Sequence, residues 1–123
     1  MKVILVADNN LTRTMGLMGH RPLEKDECAY FYFEKQGKHH FWNKNVSFPI
    51  SLIFCSENGK VEDIKFLKEN QLNGVSSDGS NINHVIEAHY EAPNEYKIIK
   101  GSYLDVVNNR IIFKSFSGEN RND

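Results

Sequence analysis

Phe48-Pro49-Ile50-Ser51-Leu52-Ile53-Phe54-Cys55-Ser56-Glu57-Asn58-Gly59-Lys60 is the stretch on which the fold turns. Phe48 to Cys55 is short, largely apolar and rich in β-branched and aromatic side chains, so it predicts a strand, with Pro49 at its start where a proline is tolerated. Asn58-Gly59 then predicts a tight hairpin turn, because both residues tolerate positive φ, and the partner strand runs from Lys60 to about Leu67. An antiparallel hairpin is therefore the frame to which the rest of the chain must fit.

Toward the C-terminus, Asn70 to Asn81 is polar and carries Gly74, Gly79 and three serines, which predicts the longest loop. Ile82 to Glu91 alternates apolar and polar residues and predicts a half-buried strand, with Glu87 on the face of Val85 and His89. Pro93 to Lys97 suits one helical turn, and Gly101 marks a bend. Tyr103 to Val107 and Ile111 to Phe116 form a last hairpin across Asn108-Asn109. Toward the N-terminus, Val3 to Val6 predicts a strand buried on both faces, ended by Asp8-Asn9-Asn10. Asn9 or Asn10 can cap a helix over Leu11 to Met18, whose Leu11, Met15 and Met18 share one face and which Gly19 and Pro22 stop. Gly16 inside that helix implies a backbone packed closely against a sheet. Cys28 to Glu34 with His39 to Trp42, joined at Gln36-Gly37, reads as a further hairpin. The pattern predicts a mainly β (α+β) fold: a small barrel-like antiparallel sheet with one short N-terminal helix. Residues 1–117 are expected to form a single domain, and 118–123 a frayed C-terminal tail.

With 40% hydrophobic and 25% charged residues in 123, the chain has ordinary globular composition, which excludes disordered and fibrous classes. Fifteen basic residues against 16 acidic ones supply no net pull toward nucleic acid or an anionic surface. Lys35, Lys38, His39, His40 and Lys44 around Phe41 and Trp42 could follow a phosphate backbone, but a charge run beside a strand is usually a solvated face, so a nucleic-acid partner is not assigned. The apolar run Met1 to Ala7 is too short for a signal-peptide core or a membrane span, so the expectation is a cytoplasmic protein with no membrane partner. Cys28 and Cys55 fit no metal spacing, and a chain of this size does not need a disulfide, so both are expected as small buried side chains. His39 and His40 point to opposite faces of a strand and make poor joint metal ligands. No phosphate loop, nucleophile elbow or His-Glu-x-x-His helix occurs, so no metal, cofactor or catalytic residue is assigned.

Two segments carry a resemblance. Thr14-Met15-Gly16-Leu17-Met18-Gly19-His20-Arg21-Pro22-Leu23 is similar to a Gly-Leu-Met pattern followed by arginine and leucine, and Phe41-Trp42-Asn43-Lys44-Asn45-Val46-Ser47-Phe48-Pro49-Ile50-Ser51-Leu52-Ile53-Phe54 resembles Phe-Trp-Met-Lys-Asn-Thr, then Pro-Leu-Asp, then an apolar strand. These are the motifs of the DUF192 (UPF0127) family of uncharacterised bacterial and archaeal proteins. Asn58-Gly59-Lys60-Val61, Val85-Ile86-Glu87 and Gly101 agree more weakly, so the resemblance spans about residues 10 to 107. Asn43 stands where the family has methionine, and Ser51 where it has aspartate. The resemblance implies a compact, mainly β fold with a helix formed by the Gly-Leu-Met segment, and it implies no reaction. Many family members look exported or lipid-anchored, a leader that this chain is expected to lack.

The candidate ligand-binding residues are Arg21, Trp42, Lys44, Asn45 and Glu87. An indole face, an ammonium and an amide close together make a recipe for holding a small polar or anionic ligand, or a peptide segment. An alternative is an enzyme of hydrolase or lyase type in which Lys44 or Glu87 moves a proton. A third reading is a protein-interaction module that offers the aromatic stretch Tyr30 to Trp42. Against all three stands a purely structural use, with Asn45 capping a turn, Lys44 pairing with Glu87 and Trp42 filling the core. The sequence sets no oligomeric state.

Overall fold

The structure, a computed structural model, describes residues 1–115. Among them are seven strands and two short helices: β1 (Lys2–Ala7), α1 (Asn10–Met15), β2 (Glu27–Gly37), β3 (Ile50–Cys55), β4 (Val61–Leu67), β5 (Ile82–His89), α2 (Ala92–Glu95), β6 (Tyr103–Val107) and β7 (Arg110–Lys114). The strands make one sheet in the order β4-β3-β5-β2-β1-β7-β6. Every neighbouring pair is antiparallel except β1 and β2, which run parallel. A parallel pair needs a crossover, and α1 with the segment after it supplies one. The sheet then curls until its outer strands meet at one end. Lys60, just before β4, bridges Tyr103 at the start of β6, and the Val61 amide donates to the Ser102 carbonyl at 2.8 Å while Leu104 donates to Gly59 at 2.8 Å. The result is the mainly β, barrel-like sheet that the sequence predicts. The expected frayed tail over 118–123, and the end of the last strand at Phe116, lie outside the described residues.

Each face of the sheet buries its own core. Ile50, Leu52 and Phe54 of β3 join Ala29, Phe31 and Val85 beneath α1 and the loops, while Ile53 and Cys55 join Cys28, Ile86 and Ala88 inside the curl. Both hairpins with asparagine turns form as predicted, Asn108 and Asn109 lying at φ +54° and +33°. Strand β5 is more deeply buried than its alternation suggests, because β3 and β2 cover both its edges and core lies on both its faces. Strand β1 departs the other way: Val6 is 47% exposed, since β7 pairs only with Lys2 and leaves the far half of β1 as an edge.

Two expectations are corrected. The hairpin over 28–42 does not exist. Both edges of β2 are taken by β1 and β5, so His39, at φ +52°, turns the chain off the sheet and Phe41 pairs only with Val75. The helix is also shorter than Leu11 to Met18. Asn9 and Thr12 form a reciprocal cap that starts it, and Gly16 ends it at φ +45°, ψ −131°, a conformation that side chains avoid. Gly16 does pack against the sheet, for a Cβ there would sit 3.4 Å from the Phe31 ring. The Gly-Leu-Met segment is therefore the turn after the helix, with Leu17 buried, and Leu11 and Met15 remain exposed instead of forming a core face.

Candidate functional site

Between α1 with the Gly16 turn, strand β2 and the loop at 40–46 lies a cleft of about 390 Å³. Its walls are Asn10 and Arg13 to Met18 on one side, Phe31 and Phe33 of β2 behind, and His40 to Lys44 with Val46 opposite. Its floor is Glu87. In the sheet Glu87 stands between Ala29 of β2 and Leu52 of β3, neither of which offers a polar atom from its side chain. The residue is 4% exposed and has neither a side-chain hydrogen bond nor an ion pair among the described residues. Burial alone pushes its carboxyl up from 4.5 to about 8, so at neutral pH it is chiefly the neutral acid and can donate a hydrogen bond to whatever enters.

The opposite wall is fixed by Asn43. This residue is buried, and its Nδ2 donates to the carbonyls of Phe48 (3.0 Å) and Lys68 (2.9 Å), while its own amide donates to Gln71 (2.8 Å). Phe41 exchanges two backbone bonds with Val75, and the Asn45 carbonyl accepts the Gly19 amide at 2.9 Å. Pinned on both sides, the loop turns Trp42 and Lys44 outward into the cleft and its rim. Trp42 is 46% exposed, and the Lys44 ammonium sits 5.4 Å from its ring centroid. Across from them Arg13 donates to the Tyr32 carbonyl at 2.6 Å, lies over the Phe33 ring at 5.0 Å and approaches the exposed Glu34 carboxylate at 4.0 Å.

Trp42, Lys44 and Glu87 thus line one cleft, whereas Arg21 and Asn45 do not line it. Arg21 makes a two-pronged pair with Glu27, both bonds at 2.8 Å, and together with the Glu24 amide it holds the Glu27 carboxyl down at about 2. Asn45 is an exposed turn residue at φ +59°, the conformation asparagine tolerates best after glycine. Lys44 does not pair with Glu87, and Trp42 does not fill the core. Arg13, Phe33, His40 and Asn43 also line the cleft but are not among the ligand-binding residues that the sequence proposes. Only Asn43 left a signal, as a polar residue where the family has methionine. Ser51, at the family's aspartate, is buried and donates to the His89 carbonyl at 3.0 Å. Cys28 and Cys55 are free and buried, and burial raises both thiols, Cys28 to about 12. Among the described residues no group of three His, Cys, Asp or Glu side chains could hold a metal ion, and no helix is long and apolar enough to cross a membrane.

No curated protein matches the chain. Among solved structures, a protein of unknown function from Novosphingobium aromaticivorans is similar at a TM-score of 0.77 and 19% identity, over 85% of this chain and 75% of that one. A putative transcription regulator from Sinorhizobium meliloti is similar at a TM-score of 0.75 and 19% identity, over 89% of this chain and 80% of that one. At such identity the likeness speaks for the fold alone. The family match is more direct: residues 2–106, which include both quoted motifs and Glu87, match DUF192, described as Uncharacterized ACR, and the chain belongs to that family.

Proposed function

We propose that the protein is a binding domain that holds a small polar or anionic ligand in the cleft above Glu87. One observation carries this reading: a carboxyl buried in the middle of a sheet, without a partner among the described residues, opening on a cleft. Such a group costs free energy that an apolar side chain at the same place would not. A ligand that accepts its hydrogen bond would offset that cost. Trp42 offers a flat face for stacking, and Lys44 and Arg13 add positive charge at the sides. In this reading the domain works in the cytoplasm, where its free cysteines stay reduced.

Native mass spectrometry of freshly purified protein tests the proposal, with a co-purifying small molecule as the expected result. That molecule should raise the Tm of the stripped protein. Lys44→Ala should leave the circular dichroism unchanged and abolish the rise; a loss of stability with no ligand effect would favour a purely structural use of the motif.

One observation favours a second reading. A carboxyl that keeps its proton to about pH 8 in an aromatic cleft has the properties of a general acid. Turnover in a broad metabolite screen, lost in Glu87→Gln, would establish hydrolase or lyase chemistry in place of binding alone.

A further inference from the structure

We infer that the ligand of this cleft is a small organic carboxylate with an apolar body, bound with its acid group against the carboxyl of Glu87 and in the field of Arg13 and Lys44; the inference rests on the binding reading above. The charged and titratable groups of the cleft lining are few. Arg13 comes from α1, His40 and Lys44 from the loop, and Glu87 from β5. Strand β2 contributes only the rings of Phe31 and Phe33, and the strand neighbours of Glu87 are Ala29 and Leu52. Further along β5, His89 lies in the next groove, where its Nδ1 accepts the Glu91 amide at 3.0 Å. Glu34, near Arg13, is exposed and outside the cleft lining.

The cleft therefore offers a proton donor at its floor and two permanent cations at its sides. A ligand amine would meet two like charges. A neutral amide would take the Glu87 hydrogen bond and bring no negative charge to Lys44, which has no ion pair among the described residues, or to Arg13, whose one carboxylate neighbour, Glu34, is exposed at 4.0 Å. A carboxylate uses both features, because it accepts the O–H of Glu87 in a charge-assisted bond and brings the opposite charge to Arg13 and Lys44. Phe31, Phe33 and Leu17 take its apolar body, and about 390 Å³ lies at the small end of ligand sites. No covalent step is involved, and the proton stays between the two carboxyl groups.

Phenylacetate, phenylacetamide and phenethylamine share a ring and differ at the end group, so they serve as the probes. Each is titrated into the protein while the fluorescence of Trp42, the chain's single tryptophan, and the amide shifts of the cleft residues are followed. Phenylacetate should bind saturably and at least about tenfold more tightly than the amide, since the paired charge is worth that factor or more. Its affinity should fall by up to about tenfold per pH unit above about 8, as Glu87 ionises. Glu87→Gln should bind phenylacetate without that fall. Lys44→Ala should weaken phenylacetate and leave the amide unchanged, which keeps the test open if Glu87→Gln fails to fold. If the amide equals the acid, or the amine binds tightest and gains as pH rises, the ligand class is wrong while the cleft remains a binding site. If none of the three moves a cleft resonance at its solubility limit, the binding reading fails as well.

Discussion

Glu87 gains a proton when the chain folds. Unfolded, its carboxyl titrates near 4.5; in the sheet burial carries it to about 8. Between those values the folded state binds more protons than the unfolded one, so its contribution is fully present below about 4.5 and is lost as pH rises toward 8. The slope is up to about 1.4 kcal/mol per pH unit. Glu87→Gln should remove it, which urea unfolding at pH 5 and pH 8 would measure; equal losses in both proteins would contradict the assignment. Much at this scale was readable from the chain alone. The period-two pattern of 82–91 put Glu87 on the face of Val85, where it is, and the motif supplied Trp42 and Lys44. Arg21 lies outside the cleft lining and pairs with Glu27 across an irregular segment, where no periodicity shows that the two side chains meet.

Among the elements, the loop at 40–46 does most to shape the cleft, and its buried anchor is Asn43. Asn43→Ala would strand the carbonyls of Phe48 and Lys68, a cost of about 1–3 kcal/mol. It should also loosen the wall that carries Trp42. Urea unfolding should show the lost stability and the emission of Trp42 should shift; unchanged stability would mean that the backbone pairs at Phe41 and Asn43 hold the loop alone. Elements whose signals are local were read correctly, as at Asn58-Gly59 and Asn108-Asn109, where the turn residues dictate the pairing. The supposed hairpin over 28–42 failed because strand partners are chosen across the chain: β1 and β5 fill both edges of β2, a competition no window of residues reveals. The helix end failed for a different reason. Gly16 reads equally as a weak helix residue or as a cap, and only the contact with Phe31 decides.

At the scale of the molecule, a rolled sheet with core on both faces takes its middle strands out of solvent, and this sets the character of Glu87. Ala29 and the rings of Phe31 and Phe33 come from β2 and Leu52 from β3, and α1 and the 40–46 loop complete the enclosure. The barrel-like class was evident from the many short strands and their turns. The parallel pairing of β1 with β2, and the meeting of β4 with β6 near Lys60 and Tyr103, depend on contacts too distant in sequence to be read there. If this enclosure exists as described, the side-chain carboxyl of Glu87, followed by carbon-13 NMR in the ligand-free protein, should titrate with a midpoint near 8. A midpoint near 4.5 would mean that water reaches the group, and would remove the basis for the buried neutral acid and for the ligand assigned to it.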